Sequence, residues 1–269
     1  SLACSDKEPI DSGEDTEVEA DADTDADSDT DTDADTDVEP QGFAVEGATL
    51  DLATQQGGAE GLCLDVVDPS AAFTGGDLEM LGGTTLASDG TWRVEDIETD
   101  SVLGLFLLVT DCDGVAPVMP TASGVPFADY DGLGTGDTVQ DRRAIVVSEA
   151  MAQGVAQSLA AAGYQGDIAT DGFVLGFVRD NTGTPVQGAT VSCGDGCTVY
   201  YADIENADGM FTGAETGLNT STAAQTGGLF VVPGGPLTSY TAKHDTITFP
   251  AVTFGGMPGL VTVMAFAGE

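Results

Sequence analysis

"GTWRVEDI", residues 90–97, decides the fold class. Trp92 and Val94 fall on one face and Arg93 and Glu95 on the other, the period of two that a strand with one covered face requires. Trp92, the single tryptophan of the chain, is therefore read as a core residue rather than a ligand platform. Outward from it, "GATLDLAT" (47–54), "GLCLDVVD" (61–68) and "GLFLLVTDC" (104–112) are short apolar runs set between Gly, Asp, Asn and Pro clusters. That is the signature of antiparallel β-structure and predicts a first β-sandwich-like domain over residues 42–143. The longest apolar run, Val102 to Val109, has eight residues where a bilayer span needs about twenty. It reads as a buried strand.

One stretch breaks this pattern. "SEAMAQGVAQSLAAAG", Ser148 to Gly163, offers Ser148 as N-cap, Glu149 in the first turn, alanine-rich helix formers and Gly163 as the stop. The spacing predicts one helix, within a connecting segment 144–171. Met151, Val155 and Leu159 should form its apolar stripe and pack on a sheet.

The second β-region, 172–269, carries a resemblance. In "GFVRDNTGTPVQGATVSC" (176–193), a strand with Gly176 and Val178 leads through Asp180 and Gly183 to Pro185, then to Gly188, Ala189 and Val191. Later, "TGGLFVVPGGPLTSYTA" (226–242) sets Gly228 and Phe230 before a Pro233-Gly234 turn and Tyr240. The two together resemble the carboxypeptidase regulatory-like domains, small transthyretin-like β-sandwiches. The resemblance implies a sandwich over 172–268 and an accessory role in stability, adhesion or presentation. "SDGTWRVEDI" can be laid over "TGGLFVVPGG", so the first domain is read as a degraded copy that lacks the opening hairpin. The fold class expected is mainly β, two antiparallel sandwich-like domains joined by one helix.

Charge excludes several partners. Forty-six acidic residues face six basic ones, a net charge of −40 over 269 residues, so phosphate backbones and anionic lipid surfaces would be repelled. Residues 1–39 carry seventeen of the acidic residues and one lysine; the remainder still has 29 acidic and five basic. In "DADTDADSDTDTDADTD", Asp21 to Asp37, aspartate occupies every second position. Residues 1–41 are read as a disordered acidic tether, since nothing in them offsets the entropy of ordering. From Cys4 to Pro40 the extended reach is on the order of 120 Å. A tight calcium loop is not expected there, because the tract has no turn glycine.

The five cysteines are Cys4, Cys63, Cys112, Cys193 and Cys197. Cys4, in "SLACSDKEP", resembles the lipidated cysteine of a bacterial lipoprotein, although Leu2 lies one place nearer than the family pattern has it. The other four are read as two disulfides in an oxidising compartment, with three connectivities open. Zinc is disfavoured, as no C-x2-C pair or accompanying histidine is present.

Chemistry is sparse. His244 is the single histidine and stands beside Asp245, which reads as a surface pair; no nucleophile elbow or zinc helix occurs. The loop Asp129 to Asp137 is read first as a glycine-rich surface loop, with Asp129, Asp131 and Asp137 as calcium ligands in the competing reading. The expectation is a non-enzymatic cell-surface display, adhesion or interaction lipoprotein with no certain cofactor. Its partner would be an extracellular protein, a glycan or a further copy, with the membrane reached only through Cys4 and no nucleic acid. The alternative is a calcium-dependent glycan-binding or glycan-hydrolysing protein using the loops around 129–137 and 200–208.

Overall fold

The computed structural model describes residues 42–57, 60–114, 116–194, 197–202, 211–212 and 228–269. Cys4, the Asp21–Asp37 tract and most of the 200–208 loop lie outside them. Everything described belongs to the unit Glu39–Glu269.

The first half of the chain supplies β1 (Phe43–Asp51), β2 (Leu62–Asp68), β3 (Glu79–Thr85), β4 (Thr91–Ile97), β5 (Leu105–Asp111), β6 (Val118–Met119), β7 (Thr121–Val125) and β8 (Thr138–Ser148). Helix α1 (Glu149–Ala161) and the short α2 (Ile168–Asp171) follow. Then come β9 (Phe173–Asp180), β10 (Thr190–Ser192), β11 (Tyr200–Ala202), β12 (Phe211–Thr212), β13 (Leu229–Pro233), β14 (Thr238–Lys243), β15 (Val252–Phe254) and β16 (Val261–Gly268). The mainly β class holds.

The sheets are shared between the two halves. A nine-stranded sheet runs β12-β11-β13-β9-β16-β7-β5-β2-β3, so strands from 42–143 and from 172–269 are hydrogen-bonded into one surface. The join is β16 beside β7, and it is parallel, as are β16 beside β9 and β1 beside β8. The sequence expectation had set two antiparallel sandwiches either side of a helix. Hydrophobic period shows that a strand exists and which face is covered, but it names no partner.

Both faces of this sheet are covered. Along β9, Phe173 and Leu175 enter one cluster with Ala152, Val155 and Leu159 of α1. Val174 and Val178 enter another with Val191, Tyr240, Ala242 and Phe254 from the three-stranded sheet β10-β14-β15. Strands β13 and β16 divide in the same way, which is why they read as continuous apolar runs rather than alternations. Gly176 is where one such layer closes. A Cβ there would collide with the ring of Phe230 on the neighbouring strand.

The other end of the sheet packs on a four-stranded sheet, β4-β1-β8-β6. Leu64, Leu105 and Leu107 meet Val45, Trp92, Val94 and Val146 in a third cluster. Here the alternation in "TWRVE" is realised, with Trp92 and Val94 buried and Arg93 and Glu95 exposed. The run Val102 to Val109 is not wholly buried, because Val102 and Leu103 precede β5 and are exposed.

Helix α1 begins as its cap residue requires: the Ser148 hydroxyl accepts the Met151 N–H at 3.2 Å, and Gly163 takes a φ of 97° beyond the last turn. Its buried stripe is Ala152, Val155 and Leu159, with Met151 only partly covered. The turn after β9 is built on Asp180, whose carboxylate accepts from the N–H groups of Thr182 and Thr184, both at 2.9 Å. The chain then touches β9 at an Arg179–Pro185 bridge and crosses to pair β10 with β14, in the facing sheet.

Cys63 is bonded to Cys112, tying β2 to the end of its neighbour β5, and Cys193 is bonded to Cys197. These are the pairs that strand adjacency and a short loop favour.

Candidate binding cleft

The open face of the four-stranded sheet carries the charged residues, and two bulges shape it. Between Val45 and Gly47 of β1 the chain advances two residues while β8 advances three, from Val139 to Arg142. Opposite Phe43 to Val45, β4 likewise fits an extra residue between Val94 and Ile97. Each insertion includes an aspartate at a φ of 58°, Asp141 and Asp96. Aspartate tolerates the left-handed region better than most residues, and such bulges re-aim neighbouring side chains. At Gly47 the β8 backbone approaches so closely that a Cβ would strike the Arg142 carbonyl.

The result is an open cleft of about 970 Å³. Glu46, Asp141, Arg93, Arg142 and Arg143 are its charged lining, Trp92 borders it, and Thr84 and Thr85 at the end of β3 form its far wall. Three of the six basic residues in the chain therefore meet at one place.

Their states differ. Arg93 pairs with Glu95 at 2.9 Å and with Glu46, and these two carboxylates raise its pKa, Glu95 most. Arg142 pairs with Asp129 at 2.6 Å and donates to the Gln140 carbonyl at 2.8 Å. Arg143 is exposed and has no carboxylate partner among the described residues. Arg179, at the end of β9, lies over the Phe177 ring at 5.2 Å and donates to the Gly183 carbonyl at 2.9 Å. Burial lowers its pKa, and the positive charge of Arg143 lowers it further. Two guanidinium groups thus lie within electrostatic reach of one another, neither ion-paired among the described residues, in a chain of net charge −40. The Trp92 side chain is on the other, covered face of β4. The residue is 6% exposed, and its indole N–H is the buried side-chain polar atom without a hydrogen-bond partner among the described residues.

In the loop Asp129 to Asp137, read first as a surface loop and in the competing reading as a calcium site, two of the three aspartates have partners within the protein. Asp129 is committed to Arg142, and Asp137 accepts the Gly134 N–H at 2.8 Å as the clasp of its own turn. Among the described residues no three His, Cys, Asp or Glu side chains form a group able to hold a metal. Asp131 borders a smaller hollow of about 450 Å³, with Glu98, Asp100, Phe127 and Tyr130. The rings there are one another's partners, Phe43 stacking on Tyr130 at 5.6 Å and Phe127 meeting Tyr130 edge-on at 5.4 Å. The Tyr130 hydroxyl donates to the Ser101 carbonyl at 2.7 Å. His244 is half-buried and bonds locally to Thr246 at 3.3 Å.

No family model and no curated protein matches the chain. Among solved structures, the shaft pilin SpaA of Lactobacillus rhamnosus GG aligns over 85% of this chain and 98% of its own, at 9% identity and a TM-score of 0.23. The basal pilin SpaE of the same organism aligns over 82% and 90%, at 12% identity and a TM-score of 0.24. A streptococcal ancillary pilin aligns over 84% and 68%, at 12% identity and 0.22. Similarity at this level assigns neither a fold family nor a function.

The arginine cleft is absent from the sequence expectation. Its signal was present in "DRRAIVV", where two of six basic residues are adjacent in an acidic chain.

Proposed function

We propose that the protein is a non-catalytic interaction or display protein of the bacterial cell exterior, held there by a lipid on Cys4. The observation that carries the reading is the cleft itself. It is wide, open and framed by rigid paired strands, and it offers guanidinium and hydroxyl groups rather than a nucleophile beside a base. Such a surface recognises a partner. Two disulfides suit an oxidising environment. The Asp-rich tract serves as a self-repelling spacer between anchor and folded body, and the strands over 172–268 act as an accessory sandwich of the carboxypeptidase regulatory-like kind.

The test is the intact mass of the N-terminal peptide from protein isolated out of its native envelope. A chain starting at Cys4 with acyl groups attached is the expected result. An unmodified terminus, with the protein recovered from the medium, overturns the anchored reading.

A further inference from the structure

We infer that the arginine cleft binds an extended acidic peptide, whose backbone pairs with the open edge of β4 and whose carboxylates meet Arg143. This deepens the interaction reading above by naming the partner chemistry. The first support is the edge. Strand β4 ends the four-stranded sheet, and β3, which supplies the far wall of the cleft, ends the nine-stranded one. Because the Thr49 N–H donates to the Gly90 carbonyl at 2.8 Å, the alternation of an antiparallel ladder turns the backbone groups of Arg93 away from β1 and toward the cleft. The Thr91 N–H is taken by Asp89 at 2.9 Å. The Arg93 amide and carbonyl are therefore a donor and acceptor pair set for an incoming strand.

The second support is charge. Arg93 and Arg142 already hold carboxylates, which leaves Arg143, on the same face as Arg93, as the cation to be matched. Burial lowers the Arg179 pKa and the positive charge of Arg143 lowers it further, so an anion held at Arg143 would relieve that repulsion. A guanidinium takes a carboxylate through two parallel hydrogen bonds. A free anion would use the arginines but not the strand edge, whereas a peptide with acidic side chains at alternate positions uses both. Such side chains fall on one face of a strand. Trp92, next to Arg93 on the covered face of β4, lies at the cleft wall, and its emission reports on that strand. The whole chain repels an acidic ligand at long range, but screening confines that repulsion to about 8 Å near 0.15 M salt.

The experiment uses the full chain at that salt concentration. A synthetic 17-residue peptide with aspartate at every second position is titrated by calorimetry, and the emission of Trp92, the sole tryptophan, is followed in parallel. Saturable binding with a change in Trp92 emission is expected. Replacing the aspartates by asparagine, or N-methylating the peptide backbone, should weaken binding about tenfold or more, the worth of a charged hydrogen bond. Arg143→Gln should do the same, and since Arg143 is exposed the fold should be retained by circular dichroism; Lys243→Gln should leave binding unchanged. Equal binding of the asparagine or N-methylated peptide, wild-type affinity in Arg143→Gln, or binding without a Trp92 response would each overturn the proposal. So would failure of the peptide to bind, whether or not dextran sulfate does. None of these outcomes bears on the acyl groups at Cys4, so the two readings fail independently.

Discussion

The middle of the nine-stranded sheet and the four-stranded sheet are made of the same kinds of strand under different constraints. β9, β13 and β16 are buried on both faces, between helix α1 on one side and β10-β14-β15 on the other. β1, β4 and β8 bury one face, and toward the cleft they leave charged residues on the other. A doubly buried strand has no room for charge, because each ion would need a full set of partners inside the protein. Recognition chemistry is thereby confined to the single-covered sheet. The contrast teaches that in this molecule one region holds the fold and the other is free to carry function.

The largest effect expected is at Phe230. It is fully buried, sits against Gly176 and lies 6.2 Å from the Phe266 ring. Phe230→Ala should cost about 3–5 kcal/mol in urea unfolding. A cost near 1 kcal/mol would mean that the double burial is not what stabilises the sheet. Next comes the tie across the other end. Converting both Cys63 and Cys112 to serine opens a link between residues 49 apart and should cost about 2–4 kcal/mol in the chain-entropy account. The effect should appear as a lower denaturation midpoint for the whole described unit, because its strands share one sheet; separate transitions for the two halves would break that picture.

A smaller effect is expected in alkali. Burial pushes the Tyr240 phenol up to about 12, whereas an unfolded tyrosine titrates near 10. The folded state thus favours the neutral phenol, a contribution complete below pH 10 and lost as pH rises from about 10 to 12. Tyr240→Phe should flatten the stability loss over that window in pH-dependent thermal melts. Tyr164, pushed up to about 12 by burial and by Asp171 beside it, keeps part of the slope. An unchanged profile in Tyr240→Phe would show that its hydroxyl is ionised as readily in the fold as outside it.

One substitution on the exposed sheet and one added ion should do least. Glu46→Gln removes one carboxylate from Arg93 and leaves Glu95 in place, so stability should fall by less than about 1 kcal/mol. Adding millimolar calcium should leave the melting temperature unchanged, since Asp129 and Asp137 are already engaged by Arg142 and Gly134. A clear rise would establish calcium binding at that loop, because a ligand that binds the native state stabilises it.

Local pattern was enough for much of this. The alternation at Trp92 to Glu95, the cap at Ser148 with the stop at Gly163, and the turn at Asp180 to Gly183 are each fixed by neighbours in sequence, and each is present. The long strand β8 was less legible, because "QDRR" interrupts its apolar run and hides a bulge that needs β1 beside it to be seen. The candidate site suffered the same loss. The sequence offers Asp129 as a candidate ligand, but only the fold shows that Arg142, thirteen residues away, is paired with it.

What the sequence determined by itself was the class of structure, mainly β with one substantial helix, together with the acidity of the chain and the cysteines available for pairing. Those follow from side-chain size, charge and period, which are local properties. Only the tertiary structure decided that the two halves share a sheet through β16 and β7, and that Arg93, Arg142 and Arg143 meet beside an open strand edge. Strand partners are chosen by the burial of whole faces against one another, and that choice is made between segments more than a hundred residues apart.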